Sequence, residues 1–477
     1  MKKSISDGSL YFKLKSYSQT DFVPLHMPGH KRNVSLLGDD IPYSLDITEI
    51  SGFDNLHHAE GIIKQAQAKA ERLYNSRHSF ILVNGSTCGI LAAVRTVTEY
   101  GDEIIMARNC HKSVYNACTL NNLTAHYIYP PMDKKTAVSG SIYPHDIEIM
   151  LKTYPKSKAV VITSPTYEGV ISNIEEICRI AHNVNVPVIV DNAHGAHQAF
   201  VDNVIGEPVA CGADIVISSL HKTLPSLTQT AVAHINGDFV NAGDFSAELA
   251  VFETSSPSYV LMASADRCFD ILAEHGVSLF AKYGKRLADF DEKMKNLKNI
   301  TLLCHGADCV YNHNFYGFDS GKIVICTKDC GISGVELSER LRREYHIELE
   351  MAYSFYAVAM TSICDSDENF QRLIAALSEI DEKLCRNTTQ VNSFNVPALQ
   401  QSQYSPASLP KNGEILPLEQ AVGKISLDHI YAYPPGIPLV VAGEIISKDF
   451  VEYIRSLEMC GVDVHTAHGD LTQIKCF

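Results

Sequence analysis

The stretch of chain between residues 79 and 235 alternates short apolar runs, rich in β-branched side chains, with longer stretches of helical periodicity. The apolar runs are FILV (80–83), EIIMA (103–107), AHYIY (125–129), AVVIT (159–163), VPVIV (186–190), DIVIS (214–218) and TAVAHI (230–235). Runs that are apolar at nearly every position are typical of strands buried on both faces of a sheet. The pattern therefore predicts an α/β domain with a mostly parallel sheet.

The pattern of polar and apolar positions changes beyond residue 265. A long helical stretch leads out of the predicted sheet domain, and shorter strands and helices follow at 322–327 and 334–350. Residues 386–413 are polar with few charges, which is typical of a surface connection. The expected organisation is an N-terminal arm (1–20), a large α/β domain (21–300) and a smaller α+β C-terminal domain (301–477).

Composition narrows the class of protein. Of the 477 residues, 45% are hydrophobic and 20% are charged, as in ordinary globular proteins. Acidic residues outnumber basic ones by 55 to 40, without a dense Lys/Arg run, so nucleic acid is not an expected partner. The N-terminus shows no signal-peptide pattern, and no stretch approaches the ~20 apolar residues of a membrane span. The 14 cysteines are scattered along the chain, which favours reduced thiols, so we expect a cytoplasmic protein. Because the sequence contains no membrane span, we expect no membrane partner.

Polar residues whose side chains could bind a ligand or take part in catalysis follow four of the predicted strands. The carboxyl ends of parallel strands meet at one edge of a sheet, so these residues are expected to lie together. After FILV, the step Gly85-Ser86-Thr87 precedes a helix-like stretch. A helix N-terminus with two hydroxyl groups suits a phosphate, although a simple helix cap is the alternative.

Two further strand ends carry histidines. His111, after EIIMA, could stack on an aromatic ligand or cap the next helix. Asp191 follows VPVIV and precedes His194 and His197. A carboxylate leaving a buried strand is costly without a partner, which favours a functional role. The spacing of Asp191, His194 and His197 also permits metal binding, so a metal-dependent hydrolase is an alternative.

The fourth strand end holds Ser219, His221 and Lys222, directly after DIVIS. A lone lysine in a polar loop is usually just solvated. Together, however, the four strand ends supply a phosphate-binding helix N-terminus, an imidazole that can stack on a ring, a carboxylate for a pyridinium nitrogen and a lysine for a Schiff base. Pyridoxal phosphate requires this combination. We therefore predict that the chain binds pyridoxal phosphate through Lys222.

Longer motifs give the sequence a family resemblance that covers nearly the whole chain. The motifs are PLHMPGHK (24–31), DITEISGFDNLHHAEGIIKQAQ (46–67), NGSTCGI (84–90), NCHKSVYNA (109–117), SPTYEGV (164–170), VDNAHGAH (190–197), SSLHKTLPSLTQ (218–229), ETSSPSY (253–259) and YPPGIPL (433–439). The sequence resembles the fold-type-I pyridoxal-phosphate enzymes. Among them it resembles the ornithine/lysine/arginine decarboxylases, in the short form without an N-terminal wing domain.

The resemblance implies a role for each cofactor-binding residue. Lys222 would hold pyridoxal phosphate covalently, Asp191 would pair with the pyridine nitrogen, and His111 would stack on the ring. The residues that would hold the phosphate are Ser86, Thr87, Ser219 and His221.

The resemblance also implies substrate and subunit contacts. Thr254 and Ser255 would reach the cofactor of a neighbouring subunit, which implies a homodimer or a larger homo-oligomer. His194 would lie near the reacting carbon and complete the catalytic set with Lys222 and Asp191. Glu444 would bind the distal cationic group of the substrate.

The implied activity is decarboxylation of a basic amino acid to an amine and CO2, in polyamine metabolism. Arginine or lysine is the favoured substrate, with ornithine as a further candidate. Aminotransferases and lyases of the same fold are the rivals, but the N-terminal block and YPPGIPL resemble the decarboxylases. The sequence departs from the family pattern at Cys88, where a serine is usual, at Glu168, where a second tyrosine is expected, and at VVAGE (440–444), which lacks a proline.

Overall fold

A computed structural model describes the chain from residue 8 onward, apart from residues 134–135, 137, 202–203, 305–313, 329, 385–401, 403, 406–407, 433–435, 467–468 and 470. The strands are β1 (His78–Leu82), β2 (Glu103–Ala107), β3 (Thr124–Ile128), β4 (Ser157–Thr163), β5 (Val170–Ile171), β6 (Val188–Asp191), β7 (Ile215–Ser219), β8 (Ala231–Ile235), β9 (Thr301–Leu302), β10 (Gly317–Phe318), β11 (Lys322–Cys326), β12 (Met351–Ala352), β13 (Tyr356–Met360), β14 (Glu414–Leu416), β15 (Ile430–Ala432), β16 (Pro438–Val440), β17 (Val464–His465) and β18 (Ile474–Cys476). The α-helices are α1 (Leu10–Ser18), α2 (Val34–Leu37), α3 (Ile62–Tyr74), α4 (Gly85–Val97), α5 (Lys112–Leu120), α6 (Pro144–Thr153), α7 (Ile174–His182), α8 (Leu220–Thr223), α9 (Ala242–Phe252), α10 (Tyr259–Met294), α11 (Gly334–Tyr345), α12 (Asp367–Lys383) and α13 (Lys448–Met459). Short 3₁₀ helices cover Leu56–His58, Gln198–Phe200 and Leu418–Ala421.

The large sheet has the strand order β1-β8-β7-β6-β4-β2-β3. The five strands from β7 to β3 are parallel, while β8 runs antiparallel to both of its neighbours. Successive side chains enter two cores, one on each face. Leu82 and Ala233 pack in the cluster that includes α4 and α9, whereas Ile81 and Val232 pack in the cluster that includes α3 and α10. Burial on both faces explains why these strands are apolar at nearly every position.

The predicted α/β fold with a mostly parallel sheet is confirmed. The seven predicted strands all form, and their ends differ from the predicted ones by at most two residues. The run VPVIV shows why the ends shift, because the strand begins only at Val188. Pro187 has no N–H group to donate to a neighbouring strand, so it precedes the strand rather than joining it.

Helix α10 links the two parts of the chain. Its first turns are buried beside β1 and α3, and near its C-terminal end Phe290 packs edge-on against Phe370 of α12. Helix α1 packs on α10, with Leu10 and Leu14 buried and the Leu10 N–H donating to Asp266 at 2.7 Å. The N-terminal arm predicted from the sequence therefore contains a docked helix, while the domain boundaries remain a prediction.

The C-terminal part contains smaller antiparallel sheets. Strands β12-β13-β11-β9 form one, β16-β15-β17 a second, and β14 pairs with β18. The strand predicted at 322–327 is β11, and the helix predicted at 334–350 is α11. That helix ends when His346 adopts a left-handed conformation with φ of 53°. Most of the predicted connection at 386–413 lies outside the described residues, and no helix in the described part has the length and apolarity needed to cross a membrane.

Candidate active site

The candidate site lies at the edge of the large sheet where β6 and β7 end and α4 begins. Asp191 is the last residue of β6, Ser219 is the last residue of β7, and Ser86 lies in the first turn of α4. The Ser219 hydroxyl donates to Ser86 Oγ at 3.0 Å. The polar strand ends predicted from the sequence therefore converge, as expected where parallel strands share one edge.

Lys222 extends from the one-turn helix α8, directly after β7. Its Nζ lies 3.0 Å from Nε2 of His194. Burial lowers the pKa of the Lys222 amine, and the charges of Asp191 and Glu350 oppose that shift. A lowered pKa leaves more of the amine unprotonated near neutral pH, which is the nucleophilic form. Lys222 is therefore suited to attack an aldehyde carbon.

Asp191 is a buried carboxylate with a cationic neighbour. The side chain is 3% exposed, and the Ala193 N–H donates to its Oδ1 at 3.1 Å. Burial raises the pKa of Asp191, while the charge of Lys222 and the Ala193 N–H act in the opposite direction. A buried carboxylate gains most from a positive partner held close to it. This carboxylate is thus placed to favour a cationic group in a ligand beside Lys222.

The start of α4 offers an anion site. The first-turn N–H groups of a helix have no intrahelical partners, and the helix dipole makes this end positive. The Ser86 hydroxyl lies there, and the exposed Thr87 follows it. His221 donates from Nδ1 to the Thr230 carbonyl at 3.0 Å, and burial lowers the pKa of its ring. The helix start predicted at Gly85-Ser86-Thr87 is confirmed, and phosphate binding there remains a prediction.

His111 caps α5 and also lies close to Lys222. Its Nδ1 accepts from the Ser113 N–H at 3.2 Å, so the capping role considered from the sequence is confirmed. Burial, and then the charges of Lys222 and Lys112, lower the pKa of His111 to about 4. The ring is therefore neutral at pH 7, which is compatible with stacking on an aromatic ligand. The stacking role itself remains a prediction.

A second lysine, which sequence reasoning missed, completes the surroundings of His194. Lys322 is the first residue of β11, is 1% exposed, and places its Nζ 3.1 Å from His194 Nδ1. The Tyr167 ring packs against the imidazole with centroids 4.6 Å apart. Burial, followed by the charges of the two lysines, holds the pKa of His194 well below its usual value. Lys322 begins the apolar run KIVIC, and a lysine at the start of a buried strand is the sign of it that the sequence contains.

The two unusual residues of the family motifs have internal partners. Glu168 is buried and accepts hydrogen bonds from Tyr356 Oη at 2.9 Å and Thr166 Oγ1 at 3.1 Å. Cys88 is also buried, and its thiol donates to the Gly85 carbonyl at 3.0 Å and lies 3.4 Å from Glu253. Burial raises the pKa of the Cys88 thiol, so this cysteine is not a nucleophile at neutral pH.

Thr254 and Ser255 lie next to the start of α4 of the same chain. Asn84, the N-cap of α4, donates to the Phe252 carbonyl at 3.0 Å. His57 donates from Nε2 to the Thr254 carbonyl at 2.9 Å, and Ser255 is exposed. The segment is therefore held beside the candidate anion site, with Ser255 at the protein surface.

Glu444 has a partner within the protein. Its carboxylate forms a two-pronged ion pair with Arg108, with Nε–Oε1 and Nη2–Oε2 distances of 3.0 Å, and both side chains are 1% exposed. The Val441 N–H also donates to Oε2 at 2.8 Å. Arg108 follows β2 and further donates to the carbonyls of Pro438 and Leu439. The pair therefore fastens the C-terminal segment to the large sheet. The substrate contact predicted for Glu444 remains a prediction. Residues 433–435 lie outside the described residues.

The side chains of the alternative metal site, Asp191, His194 and His197, do not converge on one point in the described part of the chain. Both ring nitrogens of His194 lie within hydrogen-bonding distance of lysine amines, which occupy the positions that a metal ion would need. His197 instead pairs through Nε2 with Asp319 Oδ1 at 3.2 Å. Within the described ranges, no cluster of three or more His, Cys, Asp or Glu side chains could hold a metal.

Two family models match the sequence of the chain. A model described as "Orn/Lys/Arg decarboxylase, major domain" matches residues 9–330, and one described as "Orn/Lys/Arg decarboxylase, C-terminal domain" matches residues 385–464. The chain belongs to the Orn/Lys/Arg decarboxylase family. This membership makes it a pyridoxal-phosphate-dependent amino-acid decarboxylase acting on a basic amino acid.

Individual members of the Orn/Lys/Arg decarboxylase family resemble the chain along most of its length. The arginine decarboxylase of Halalkalibacterium halodurans is 31% identical over 473 residues, covering 97% of this chain and 95% of that relative. The arginine decarboxylase of Bacillus subtilis is 31% identical over 455 residues, covering 93% and 92%. The crystal structure of the Francisella novicida lysine decarboxylase has a TM-score of 0.83 at 20% identity, covering 98% of this chain and 81% of that one. This structural similarity confirms the fold-type-I architecture.

The residues present fit the cofactor of the Orn/Lys/Arg decarboxylases. An amine with a lowered pKa suits an aldehyde, and the buried carboxylate beside it suits a pyridine nitrogen. Two hydrogen-bonded hydroxyl groups at a helix N-terminus suit a phosphate. Lys222 would hold the aldehyde carbon, Asp191 the ring nitrogen, and Ser86 with Ser219 the phosphate. When bound, pyridoxal phosphate supplies an electron sink for negative charge at the substrate α-carbon.

Proposed function

We propose that the chain decarboxylates arginine to agmatine and CO2, as a step in polyamine metabolism. The observation that supports arginine is that both curated relatives described above, which match nearly the whole chain, are named arginine decarboxylases. The lysine decarboxylase of similar fold is less similar in sequence. Lysine and ornithine also carry a distal positive charge, so they are the competing substrates.

The chain's own residues fit the demands of this reaction. Loss of CO2 leaves the α-carbon in need of a proton, and Lys222 and His194 lie 3.0 Å apart where they can supply it. Asp191 and His194 are 3% and 5% exposed, and burial strengthens the electrostatic interactions that orient a charged substrate. General acid catalysis by such a pair typically contributes about 10²- to 10⁴-fold to the rate.

Glu350 is the structural candidate for the distal guanidinium of arginine. Its charge acts on both Lys222 and Lys322, and its carboxylate accepts a hydrogen bond from the Tyr167 hydroxyl beside His194. The side chain is exposed, so a ligand can reach it. Glu444, the sequence-based candidate, is instead engaged by Arg108. We therefore propose Glu350, ahead of Glu444, for contact with the substrate cation.

Replacing Glu350 with glutamine should raise KM for arginine by about tenfold, with kcat much less affected, because a charge-assisted hydrogen bond contributes about 1.5 kcal/mol or more. Steady-state kinetics measure the split between KM and kcat. The matched control is Glu348→Gln, an exposed carboxylate in the same loop, which should leave KM unchanged. A Glu350→Gln variant with the KM of the wild type would remove Glu350 from the substrate site.

Replacing Glu444 with glutamine should act mainly on stability. The change leaves the buried guanidinium of Arg108 without its ionic partner, which typically costs about 3–5 kcal/mol in free energy of unfolding. Chemical denaturation measures this cost. If the variant keeps the stability of the wild type but raises KM strongly, Glu444 is the substrate carboxylate and our assignment of Glu350 is wrong.

We also propose that the chain functions as a homodimer or larger homo-oligomer. Residues 22–41 expose several large apolar side chains, and an exposed apolar surface of this extent is typical of an interaction site. The most exposed of these are Phe22, Val23, Leu25, Met27 and Leu36. The contact of Thr254 and Ser255 with the cofactor of a neighbouring subunit is part of the same proposal, and the exposed Ser255 is accessible for it.

We propose a cytoplasmic location on the evidence of the thiols. The cysteines in the described part of the chain are free, and most are buried. Free thiols in this number are typical of a reducing compartment.

The substrate proposal is tested by offering arginine, lysine and ornithine separately to the protein loaded with pyridoxal phosphate and identifying the amine released. We expect agmatine, with kcat/KM for arginine at least about tenfold above that for the other two substrates, a difference of about 1.4 kcal/mol. A higher kcat/KM for lysine or ornithine, with cadaverine or putrescine as the product, would contradict arginine. Release of none of the three amines would contradict the proposed function altogether.

A further inference from the structure

Decarboxylation consumes a proton at a buried site. The carbon–carbon bond to the carboxylate breaks, CO2 leaves, and a new C–H bond forms at the α-carbon, so each turnover takes up one proton. Of the proton donors nearest the reaction, His194 is 5% exposed and Lys222 is partly buried, so few water molecules can reach them. A further inference that rests on the proposed function therefore concerns the group that resupplies them.

Three nitrogen-bearing side chains form a continuous row. Lys222 Nζ lies 3.0 Å from His194 Nε2, and His194 Nδ1 lies 3.1 Å from Lys322 Nζ. The imidazole thus touches one lysine through each ring nitrogen. A neutral imidazole can accept a proton at one nitrogen while releasing one from the other, which makes it a carrier between its two neighbours.

We propose that Lys322 is a positioning residue and proton source that acts through His194, holding the imidazole toward Lys222 and supplying the proton that each turnover consumes. In the step, an Nζ–H bond of Lys322 breaks as an Nδ1–H bond forms on His194. The Nε2–H bond of His194 breaks as a new bond to hydrogen forms at the Lys222 nitrogen or the substrate α-carbon. The imidazole ends neutral with its proton on Nδ1. The reverse transfer resets the row: the α-ammonium group of the next substrate gives its proton to Lys222, a proton passes to His194 Nε2, and the Nδ1–H proton returns to Lys322. The product amine takes its own proton from water after release.

The charges around the row suit this role. Burial lowers the pKa of Lys322 to about 8, with the Lys222 charge acting in the same direction and Asp319, Glu350 and Glu168 opposing it. Lys322 is therefore mostly charged at pH 7 and still gives up its proton readily. Lys222, Lys322, His111 and His221 all face His194 as cationic or titratable neighbours, and its pKa lies well below the usual value. The carrier is thus neutral at pH 7.

The backbone near Lys322 makes room for the lysine. Gly169 has a φ of +101°, and a Cβ atom there would lie 2.8 Å from Cγ and 2.9 Å from Cβ of Lys322. The Asp319 N–H donates to the Gly169 carbonyl at 2.8 Å, and the Lys322 N–H donates to the Asp319 carbonyl at 3.0 Å. These contacts hold the SPTYEGV segment against the start of β11, next to the aliphatic part of Lys322. The position of Lys322 Nζ is thereby fixed.

Substitutions of Lys322 in the loaded enzyme test the relay. Lys322→Ala and the bulkier Lys322→Met should lower kcat by about 10- to 100-fold with KM within about twofold, as expected for loss of a proton donor. Added methylammonium should restore much of the activity of Lys322→Ala. Lys322→Arg keeps the charge but cannot release a proton, so it should remain slow. Lys158→Ala, an exposed strand lysine, is the control and should match the wild type with or without methylammonium.

The pH profile provides a further test of the relay. Wild-type kcat should fall above pH of about 8 as Lys322 loses its proton, because only the charged form can donate. Lys322→Met should lack this alkaline limb. Either a wild-type kcat in Lys322→Met and Lys322→Ala, or recovery in Lys322→Arg with no rescue by methylammonium, would overturn the relay.

A measurement on the cofactor-free protein tests the contact independently of activity. Ring-labelled histidine, observed by ¹⁵N NMR, reports the protonation of His194, with His194→Gln used to assign its signal. Lys322→Met should raise the pH at which His194 protonates, because a positive neighbour is removed. An unchanged titration would overturn the contact. A wild-type enzyme that decarboxylates no basic amino acid would instead overturn the proposed function, and the relay with it.

Discussion

Replacing Lys222 with alanine is expected to lower kcat by at least about 10³-fold while the protein stays folded. The amine is the group that would hold pyridoxal phosphate covalently, and the Lys322 amine, which also adjoins His194, lies on the far side of the imidazole. The change removes a desolvated amine, which favours folding, but it also removes the cation beside buried Asp191, which disfavours folding, so the free energy of unfolding should change little. Turnover assays and chemical denaturation measure the two effects.

Two variants serve as controls for this loss. Lys222→Arg keeps a cation but cannot form the covalent link, so it should be as inactive as the alanine variant. Lys158→Ala removes an exposed lysine from β4 and should retain full activity. A Lys222→Ala protein with more than about a tenth of the wild-type kcat would contradict the assignment of Lys222.

Replacing Asp191 with asparagine is expected to lower kcat by about 10²- to 10³-fold, the range typical for loss of one preorganised electrostatic contact. An amide has the shape of the carboxylate without its charge, so it cannot hold a proton on a ring nitrogen. The change should also lower the pKa of Lys222 further, because the Asp191 charge raises it. Steady-state kinetics across pH measure both effects.

Asp214→Asn is the matched control for Asp191→Asn. Asp214 is equally buried but precedes β7, at the opposite edge of the sheet. Its Oδ2 accepts from the Val188 N–H and lies within hydrogen-bonding distance of His182 Nε2, both at 2.8 Å. The control should therefore lose about 1–3 kcal/mol in free energy of unfolding and keep its kcat. If both variants kept their kcat, Asp191 would have no catalytic role.

The strands and their polar ends are predictable from the sequence because both follow local rules. A strand buried on both faces is apolar at nearly every position, so each of the seven runs stands out without any knowledge of its neighbours. The rule that parallel strands share one edge then predicts that Asp191 and Ser219 lie close together. Helix α4 likewise begins at the predicted Gly-Ser-Thr step.

The contacts that sequence reasoning missed join parts of the chain that lie far apart. Lys322 is one hundred residues beyond Lys222, in a separate antiparallel sheet, and only the packing of β11 against the SPTYEGV segment brings it to His194. Arg108 meets Glu444 for the same reason. Local periodicity contains no information on which distant charges will pair, so in the sequence Glu444 looks available to a substrate. The approach of Glu350 to the two lysines likewise depends on how the loop after α11 packs.

The most direct test of the proposed active site is to find which lysine carries the cofactor. The protein would be loaded with pyridoxal phosphate, reduced with borohydride to make the link permanent, digested and analysed by mass spectrometry. Lys222 and Lys322 lie on either side of His194, and desolvation lowers the pKa of both amines. Either lysine could therefore form the covalent link, and the modified peptide shows which one does. We expect the modification on the peptide containing Lys222. Modification of Lys322, or of neither lysine, would contradict it.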